Sequence, residues 1–337
     1  MRGSELPEVT QMHLPSSTDR ASAPVVAPPV AESSSRPLPS ALGEGRDAAV
    51  CGVLVTYQRP SILLVTLEAL RSQTYQLKHL IVVDNDPAES ARSALTDWPA
   101  EEVTYLPTGR NLGPAGGLRA GVEEAADNYE WVMFLDDDDP PPGADVVDSM
   151  IGFLKLALSA DPNCAGVGAA GALFDARNGV SHRPLMTSPE RLLPVDWIGG
   201  GMFPIYRVDA LTAVDAPNSD LFFGYDDLDL GLRLRRSGAT LYRDRDYSVR
   251  QPFDHPKKVV QSTPPAWRHY YTTRNLVLII SPGGSRLRAG VIGLRCVASA
   301  AARSKGQRRR SFLAAARGLS DGLRGRSGRS GRAGGPG

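Results

Sequence analysis

Two apolar runs, AVCGVLVTY from Ala48 and HLIVVDND from His79, flank SILLVTLEALRSQ, whose apolar residues recur at helical spacing. Strand, helix, strand at this separation predicts a βαβ unit whose second strand lies parallel to the first. Parallel neighbours need a crossover connection, so this one unit commits the chain to an α/β fold with helices against its sheet. The later pattern continues in the same way. EVTYLPT reads as a third strand, GRNLGPAGGLRAGVEEA as a glycine-rich turn entering a helix, and WVMFLDDDD as a fourth strand. A helix over ADVVDSMIGFLKLAL and a strand and turn over CAGVGAAGALFD follow, then the loop VDWIGGGMFPIYRVDAL. DLFFGYDDLDLGLRLRRSG predicts a loop opening into a helix, ATLYRDRDYSVRQPFDHP a late strand and its exit, and WRHYYTTRNLVLII a closing helix.

Composition sets the boundaries. Residues 1–47 are rich in Ser, Pro and Ala without sustained apolar periodicity, which predicts a disordered leader. Residues 48–282 form the main domain on this reading, and 283–337 a basic tail, part helical and part disordered. The whole chain has a formal net charge of +1, yet thirteen Lys or Arg and a single acid, Asp321, lie between Arg286 and Arg332. Val291, Ile292, Leu294 and Val297 stand among those arginines as an interrupted amphipathic helix. Such a segment either lies on an anionic membrane surface or is a solvated tail. Cys51, Cys164 and Cys296 are odd in number and far apart, so they fit neither a disulfide framework nor a zinc cluster and read as packing residues in a reducing compartment. No apolar run approaches the roughly 18 residues needed to span a bilayer. The expectation is a cytoplasmic protein, peripheral at a membrane at most, with no nucleic-acid partner.

In an open parallel sheet, ligands bind beyond the carboxyl ends of the strands. Thr56 and Arg59 follow the first strand, Asp84 to Asp86 end the second, and Asp136 to Asp139 end the fourth. Four adjacent carboxylates repel one another, which raises their pKa values and opposes folding. A divalent cation removes the difficulty, because Mg²⁺ or Mn²⁺ takes carboxylate, phosphate and water oxygens, and a D-x-D suits a metal that holds a diphosphate. A solvated acidic turn is the plainer alternative, since Asp before Pro is common at loop starts. Asp226 and Asp227 precede a helix, where they either cap free N–H groups or supply a general base. The glycines of RNLGPAGGLRAG would let backbone approach a phosphate or ribose, although their spacing matches neither standard nucleotide fingerprint. WIGGG is a tight turn or, with Trp197, an apolar wall for a sugar ring. His255 in PFDHP is a metal ligand or a loop histidine.

Taken in order, VTYQRP, VVDND, RNLGPAGGLRAG, FLDDDDP, WIGGGMF and FFGYDDLDLGLRLRRSG resemble the family 2 inverting glycosyltransferases of GT-A fold. The closing DHP and WRHYYTTRN resemble the galactofuranosyltransferase and rhamnosyltransferase branch. The resemblance implies a Rossmann-like, mainly parallel mixed sheet flanked by helices. It implies metal-assisted transfer of a furanose or rhamnose from a UDP- or dTDP-sugar to a hydroxyl of a saccharide, a lipid-linked saccharide or a small molecule. Thr56, Arg59, Asp84, Asn111 and Gly116 would then contact the nucleotide, and Asp137 its ribose. Asp136 and Asp138, with His255, would hold Mg²⁺ or Mn²⁺; the equally spaced Asp137 and Asp139 leave that register ambiguous. Asp227, beside Asp226, would be the base, and Trp197 and Gly200 would face the acceptor. Two other classes are compatible with parts of the pattern. A nucleotidyltransferase that makes sugar nucleotides shares the α/β core but carries a Gly-rich basic first loop where this chain has VTYQRP, and a cation-dependent carbohydrate-binding protein leaves the DDLD helix unexplained.

Overall fold

The computed structural model describes residues 49–184, 188–199, 203–250, 265–283, 285–304 and 306–331. The predicted βαβ unit is present: β1 (Val50–Thr56) and β2 (His79–Asp84) pair in parallel and are connected through α1 (Pro60–Arg71), with a proline in its first turn. Pro suits that position because the N–H it lacks would have no partner within the helix. The third predicted strand, β3 (Val103–Pro107), adds outside β2, and α2 (Gly113–Ala125) leads to β4 (Trp131–Asp136), which pairs in parallel with the other side of β1. After α3 (Val146–Ala160) and β5 (Cys164–Gly168) the chain leaves the sheet for β6 (Gly171–Asp175) and β7 (Val180–His182). It continues through β8 (Leu192–Val195), β9 (Trp197–Ile198), β10 (Ile205–Arg207) and α4 (Val208–Ala213). Then come α5 (Asp226–Arg236), β11 (Thr240–Asp244), α6 (Arg245–Arg250) and α7 (Ala266–Ile280).

The main sheet has the order β3-β2-β1-β4-β10-β5-β11-β8, and β7-β6-β9 forms a small second sheet. β10 runs antiparallel to both β4 and β5, so the sheet is mixed although its β3-β2-β1-β4 half is wholly parallel. Side chains of a strand alternate between faces, and both faces are covered. Leu63 and Leu67 of α1 with Met150 and Phe153 of α3 pack on the face of Val50 and Leu54. Val122 of α2, Leu211 of α4 and Leu230 of α5 pack on the face of Cys51 and Val53. Double coverage explains why the parallel strands read as continuous apolar runs. Burial pushes the Cys51 and Cys164 thiols up to about 12, which keeps them in the inert packing role.

The C-terminal segment, expected as a basic and part-helical tail, carries two helices. α8 (Arg286–Arg303) and α9 (Arg308–Leu323) pack against α7, in the same compact unit as the sheet. Val277 and Ile280 meet Ala289 and Ile292 in one cluster, and Val297, Ala300 and Ala315 form another. Much of the contact surface is Ala and Gly, including Gly293, Gly318 and Gly322, which are buried against neighbouring chain. Small residues let helices approach closely while adding little hydropathy, so arginines dominate the sequence signal. The expected leader lies outside the described residues.

Candidate active site

Strand register brings the first group of residues to one level. Thr56 pairs with Asp84 across β1 and β2, and Val55 pairs with Asp136 across β1 and β4, so three adjacent parallel strands end together. A cleft of about 510 Å³ opens at this edge. Thr56, Arg59, Asn111 and Asp136 to Asp138 line it, together with Phe222, Phe223, Trp267 and Arg268 from later in the chain.

The acids of the cleft are in different states. Asp137 is buried, accepts a 2.8 Å hydrogen bond from the Thr56 hydroxyl and meets Arg59 Nη1 at 3.3 Å. Thr66 donates to its carbonyl at 2.7 Å. Burial raises its pKa, and the Thr56 and Arg59 contacts offset part of the rise. Asp138 is exposed and accepts from Arg59 Nη1 at 2.6 Å. Asp136 is open to the cleft on one side and packed around by protein on the others; its pKa is pushed up to about 7, first by desolvation, then by Asp138, Asp139, Asp226 and Asp137. That Asp136 feels Asp226 joins two motifs that are far apart in sequence.

Asp226, Asp227 and Asp229 occupy the first turn of α5, and Arg233, Arg235 and Arg236 its last, a distribution that complements the helix dipole. Asp229 is buried and salt-bridged to Arg233 at 2.6 Å, so the third acid serves the helix. Asp226 has its pKa raised to about 7, chiefly by burial and then by Asp227.

The loop that delivers these acids is unusual. Phe222, Gly224 and Tyr225 have φ of 61°, 78° and 62°, a conformation that L side chains resist. Asn275 of α7 holds it: Nδ2 lies 3.0, 3.0 and 2.8 Å from the carbonyl oxygens of Leu221, Phe223 and Gly224. Arg274 donates to the Leu221 carbonyl at 2.9 Å, and its guanidinium lies 4.9 Å from the Tyr271 ring centre. Arg274 and Asn275 are 1% and 0% exposed. From the other side Gly113, at φ 73°, receives the Phe222 carbonyl in the space a β-carbon would fill. Asn111 Oδ1 accepts from the Gly113 N–H at 2.9 Å, and Asn85 Nδ2 donates to the Gly113 carbonyl at 3.0 Å. One role of RNLGPAGG is therefore to seat the loop before α5. The functional weight of Asn275 and Gly113 was missed in the sequence, because a loop-to-helix contact across some fifty residues leaves no local pattern.

Other expected residues are placed elsewhere. Asp84 is fully buried, with Oδ1 accepting from the Asp86 N–H at 2.9 Å and Oδ2 accepting from the Ala91 N–H and the Tyr105 hydroxyl, each at 2.9 Å. The cleft is lined by its neighbour Asn85 instead. Gly116 borders an adjacent depression with Arg110 and Arg119. Trp197 lies with its backbone against Gly231 of α5, donates from Nε1 to Ser181 Oγ at 3.1 Å, and packs with the α7–α8 cluster. The aromatic surface of the cleft comes from Phe223 and Trp267, edge to face with centroids 4.8 Å apart, and the Arg268 guanidinium lies 5.2 Å from the Phe223 ring. The sequence signal for them was an aromatic cluster just before α5 and another in the first turns of α7. Gly200 and His255 lie outside the described residues.

Among the described residues no three His, Cys, Asp or Glu side chains form a ready cation cage. Asp136 and Asp138 nonetheless fit a hard cation. Both are open to the cleft, and desolvation followed by the neighbouring carboxylates raises the Asp136 pKa. Mg²⁺ is commonly held by one or two carboxylates and completed by substrate phosphates and water. The donor set suits that shared site and not an all-protein one.

A family model described as glycosyl transferase family 2 matches residues 52–155, the span from β1 through the four acids. Galactofuranosyltransferase GlfT1 of Mycobacterium tuberculosis is 30% identical over 258 residues, 71% of this chain and 84% of the relative. The chain belongs to glycosyl transferase family 2. Galactofuranosyltransferase GlfT1 of Mycolicibacterium smegmatis is 34% identical to this family 2 glycosyltransferase over 203 residues, 56% of the chain but 66% of the relative, just under two thirds of its length. The fold agrees with solved GT-A structures. Mannosyltransferase PcManGT of Pyrobaculum calidifontis, solved with GDP-Man and Mn²⁺, superposes with a TM-score of 0.50 at 16% identity, covering 88% of this chain and 81% of that one. TarS 1-349 of S. aureus gives 0.50 at 13% identity, covering 81% and 80%.

Proposed function

We propose that this cleft transfers a furanose, with galactofuranose first, from a UDP-sugar to an acceptor hydroxyl with inversion at the anomeric carbon. dTDP-rhamnose is the competing donor. The observation that carries the reading is the electrostatic interaction of Asp136, which lines the cleft, with Asp226, which follows the cleft-lining Phe222 and Phe223 in the chain; it couples a diphosphate-metal motif to a candidate base. The naming of relatives 30–34% identical as galactofuranosyltransferases supports the donor.

On this reading Thr56, Arg59, Asn85 and Asn111 hold the nucleotide along the ends of β1 and β2, and Asp137 faces the ribose. Asp136 and Asp138 would hold Mg²⁺ or Mn²⁺, because Asp137 is buried against Thr56 and Arg59 and less free to turn. When bound, the cation would stabilise charge on the departing diphosphate. Arg59 now meets Asp138 and would share its guanidinium with the incoming phosphates, contributing fixed positive charge where the leaving group develops. Burial and then Asp227 raise the Asp226 pKa to about 7, so Asp226 keeps its proton below neutral pH and its neighbour is left as the candidate base. We assign that base to Asp227, which would deprotonate the acceptor hydroxyl as it attacks. Phe223 and Trp267 offer an apolar face on which the acceptor ring can stack. The acceptor is a saccharide, lipid-linked or free, and the enzyme is cytoplasmic with peripheral membrane contact through its C-terminal helices.

Incubation with UDP-galactofuranose or dTDP-rhamnose, a saccharide acceptor and Mn²⁺, followed by NMR of the product's anomeric configuration, tests the reading. An inverted glycoside is expected. Retention of configuration, or pyrophosphate release from a sugar phosphate and NTP in place of transfer, would overturn it.

A further inference from the structure

The α8 helix is apolar on two opposite faces. Ala289, Ile292, Gly293, Val297 and Ala300 are buried. At about 100° per residue, Leu287, Val291 and Leu294 fall on the opposite side as one stripe, with 79%, 51% and 61% of their surface exposed. Arg288 and Arg295 border the stripe, both exposed. α9 repeats the chemistry, exposing Phe312 and Leu313 one residue beyond Arg308, Arg309 and Arg310. Among the described residues eleven large apolar side chains are exposed, and six belong to α8 and α9 (Leu287, Val291, Leu294, Phe312, Leu313, Leu323); the sequence 286–323 that carries these helices has nine Lys or Arg and one acid, Asp321. No helix of the described residues is long and apolar enough to cross a membrane.

We propose that the outward face of α8 docks on an anionic lipid bilayer, its leucines and valine entering the headgroup boundary and its arginines meeting lipid phosphates. The inference deepens the peripheral contact named above and rests on that reading, but not on the identity of donor or base. Charge selects the occupant. An apolar stripe edged by arginine matches a surface that is apolar beneath and negative on top, and each half contributes to binding. A soluble protein surface offers no reason for both to recur on α8 and α9. Exposed apolar residues also occur on α1, at Ile62, Leu64 and Val65, but there the helix bears Glu68 and has Arg71 at its end, without an arginine border.

Co-sedimentation of the full chain with vesicles of phosphatidylcholine alone, or with added phosphatidylglycerol, tests the proposal. Binding is expected to the anionic vesicles, weakening as salt is raised. Leu287→Glu with Leu294→Glu should reduce vesicle partitioning by about tenfold or more, Arg288→Gln with Arg295→Gln should remove the salt-sensitive part, and Val65→Glu on α1 should change nothing. The altered side chains are exposed, so circular dichroism and turnover with a soluble acceptor should match the parent. Unchanged turnover alongside lost partitioning separates this contact from the catalytic reading. Equal partitioning to neutral and anionic vesicles, no partitioning at all, or a concentration-dependent dimer that the Leu287 and Leu294 changes dissolve would overturn the proposal, the last by assigning the stripe to a second copy of the chain.

Discussion

The hydroxyl of Thr56 donates to the buried Asp137 carboxylate at 2.8 Å, tying the end of β1 to the acidic turn after β4. The bond sets which acids can turn toward the cleft, because Asp137 is held while Asp136 and Asp138 are open. Thr56→Val keeps the shape but removes the donor, leaving a buried carboxylate short of a partner at a cost of about 1–3 kcal/mol. A urea melt should show that loss, with Thr56→Ser close to the parent. An unchanged midpoint for the valine variant would mean the bond carries no weight.

Asp136 and Asp226, both raised from 3.8 to about 7, make the metal-free protein sensitive to pH. A carboxyl with a folded pKa above its unfolded value keeps its proton better in the folded state. Its stability contribution is therefore complete below the unfolded pKa and is lost as pH rises toward the folded one. In EDTA, Tm should fall as pH rises from about 4 to about 7. Mn²⁺ should restore it at the upper end and do little at the lower, because a metal ligand must be deprotonated. Asp136→Asn should flatten the EDTA profile. Asp136→Asn and Asp138→Asn should each abolish the Mn²⁺ shift while Asp139→Asn retains it; the reverse pattern would move the metal to Asp137 and Asp139.

The parallel half of the sheet and its ligand edge were legible because β1, β2 and β4 are buried on both faces and end at polar residues. That combination writes itself as an apolar run that stops abruptly. β10 was harder. Ile205, Tyr206 and Arg207 form three residues of strand inserted antiparallel between β4 and β5, and such a short run carries no period. Asp84 looked like a ligand residue because it ends a strand at the right edge. Its oxygens are bound instead by the Ala91 and Asp86 N–H groups and Tyr105, partners that only the folded loop supplies. Trp197 and Trp267 make the same point. Both stand beside promising turns, but which indole lines the cleft depends on how α5 and α7 pack.

Asn275 should behave as a positioning residue for the acids. Asn275→Leu leaves the Leu221, Phe223 and Gly224 carbonyls without this donor, so the positive-φ loop should relax and shift the first turn of α5. A misplacement near 1 Å can cost about a hundredfold in rate. The expected signature is a kcat lower by roughly ten- to a hundredfold with donor Kd nearly unchanged, read by steady-state kinetics and UDP titration calorimetry. A proportionate loss of UDP binding would place the fault in general unfolding.

The two tryptophans should separate by phenotype. Trp267→Ala removes one ring of the edge-to-face pair with Phe223 and should raise acceptor KM by about tenfold, with donor KM steady and Trp267→Phe largely competent. Trp197→Ala should lower Tm, because the indole packs with the α7–α8 cluster, while leaving acceptor KM in place. Exchange of these effects would restore Trp197 as the acceptor wall.

Asp226 and Asp227 are adjacent, and their separate roles follow from their shared charge. Burial and Asp227 hold the Asp226 pKa near 7, so Asp226 keeps its proton below neutral pH. With Asp227 as base, Asp227→Asn should lower kcat by about 10²- to 10⁴-fold while UDP affinity stays close to the parent. Asp226→Asn should retain most activity, and the acid limb of the kcat/KM profile should move to lower pH, because the neighbouring carboxylate no longer competes for the proton. A full pH–rate profile of both variants decides the assignment. If Asp226→Asn is the inactive one and Asp227→Asn keeps a wild-type profile, the base is Asp226, and the carboxylate that interacts electrostatically with Asp136 also takes the acceptor proton.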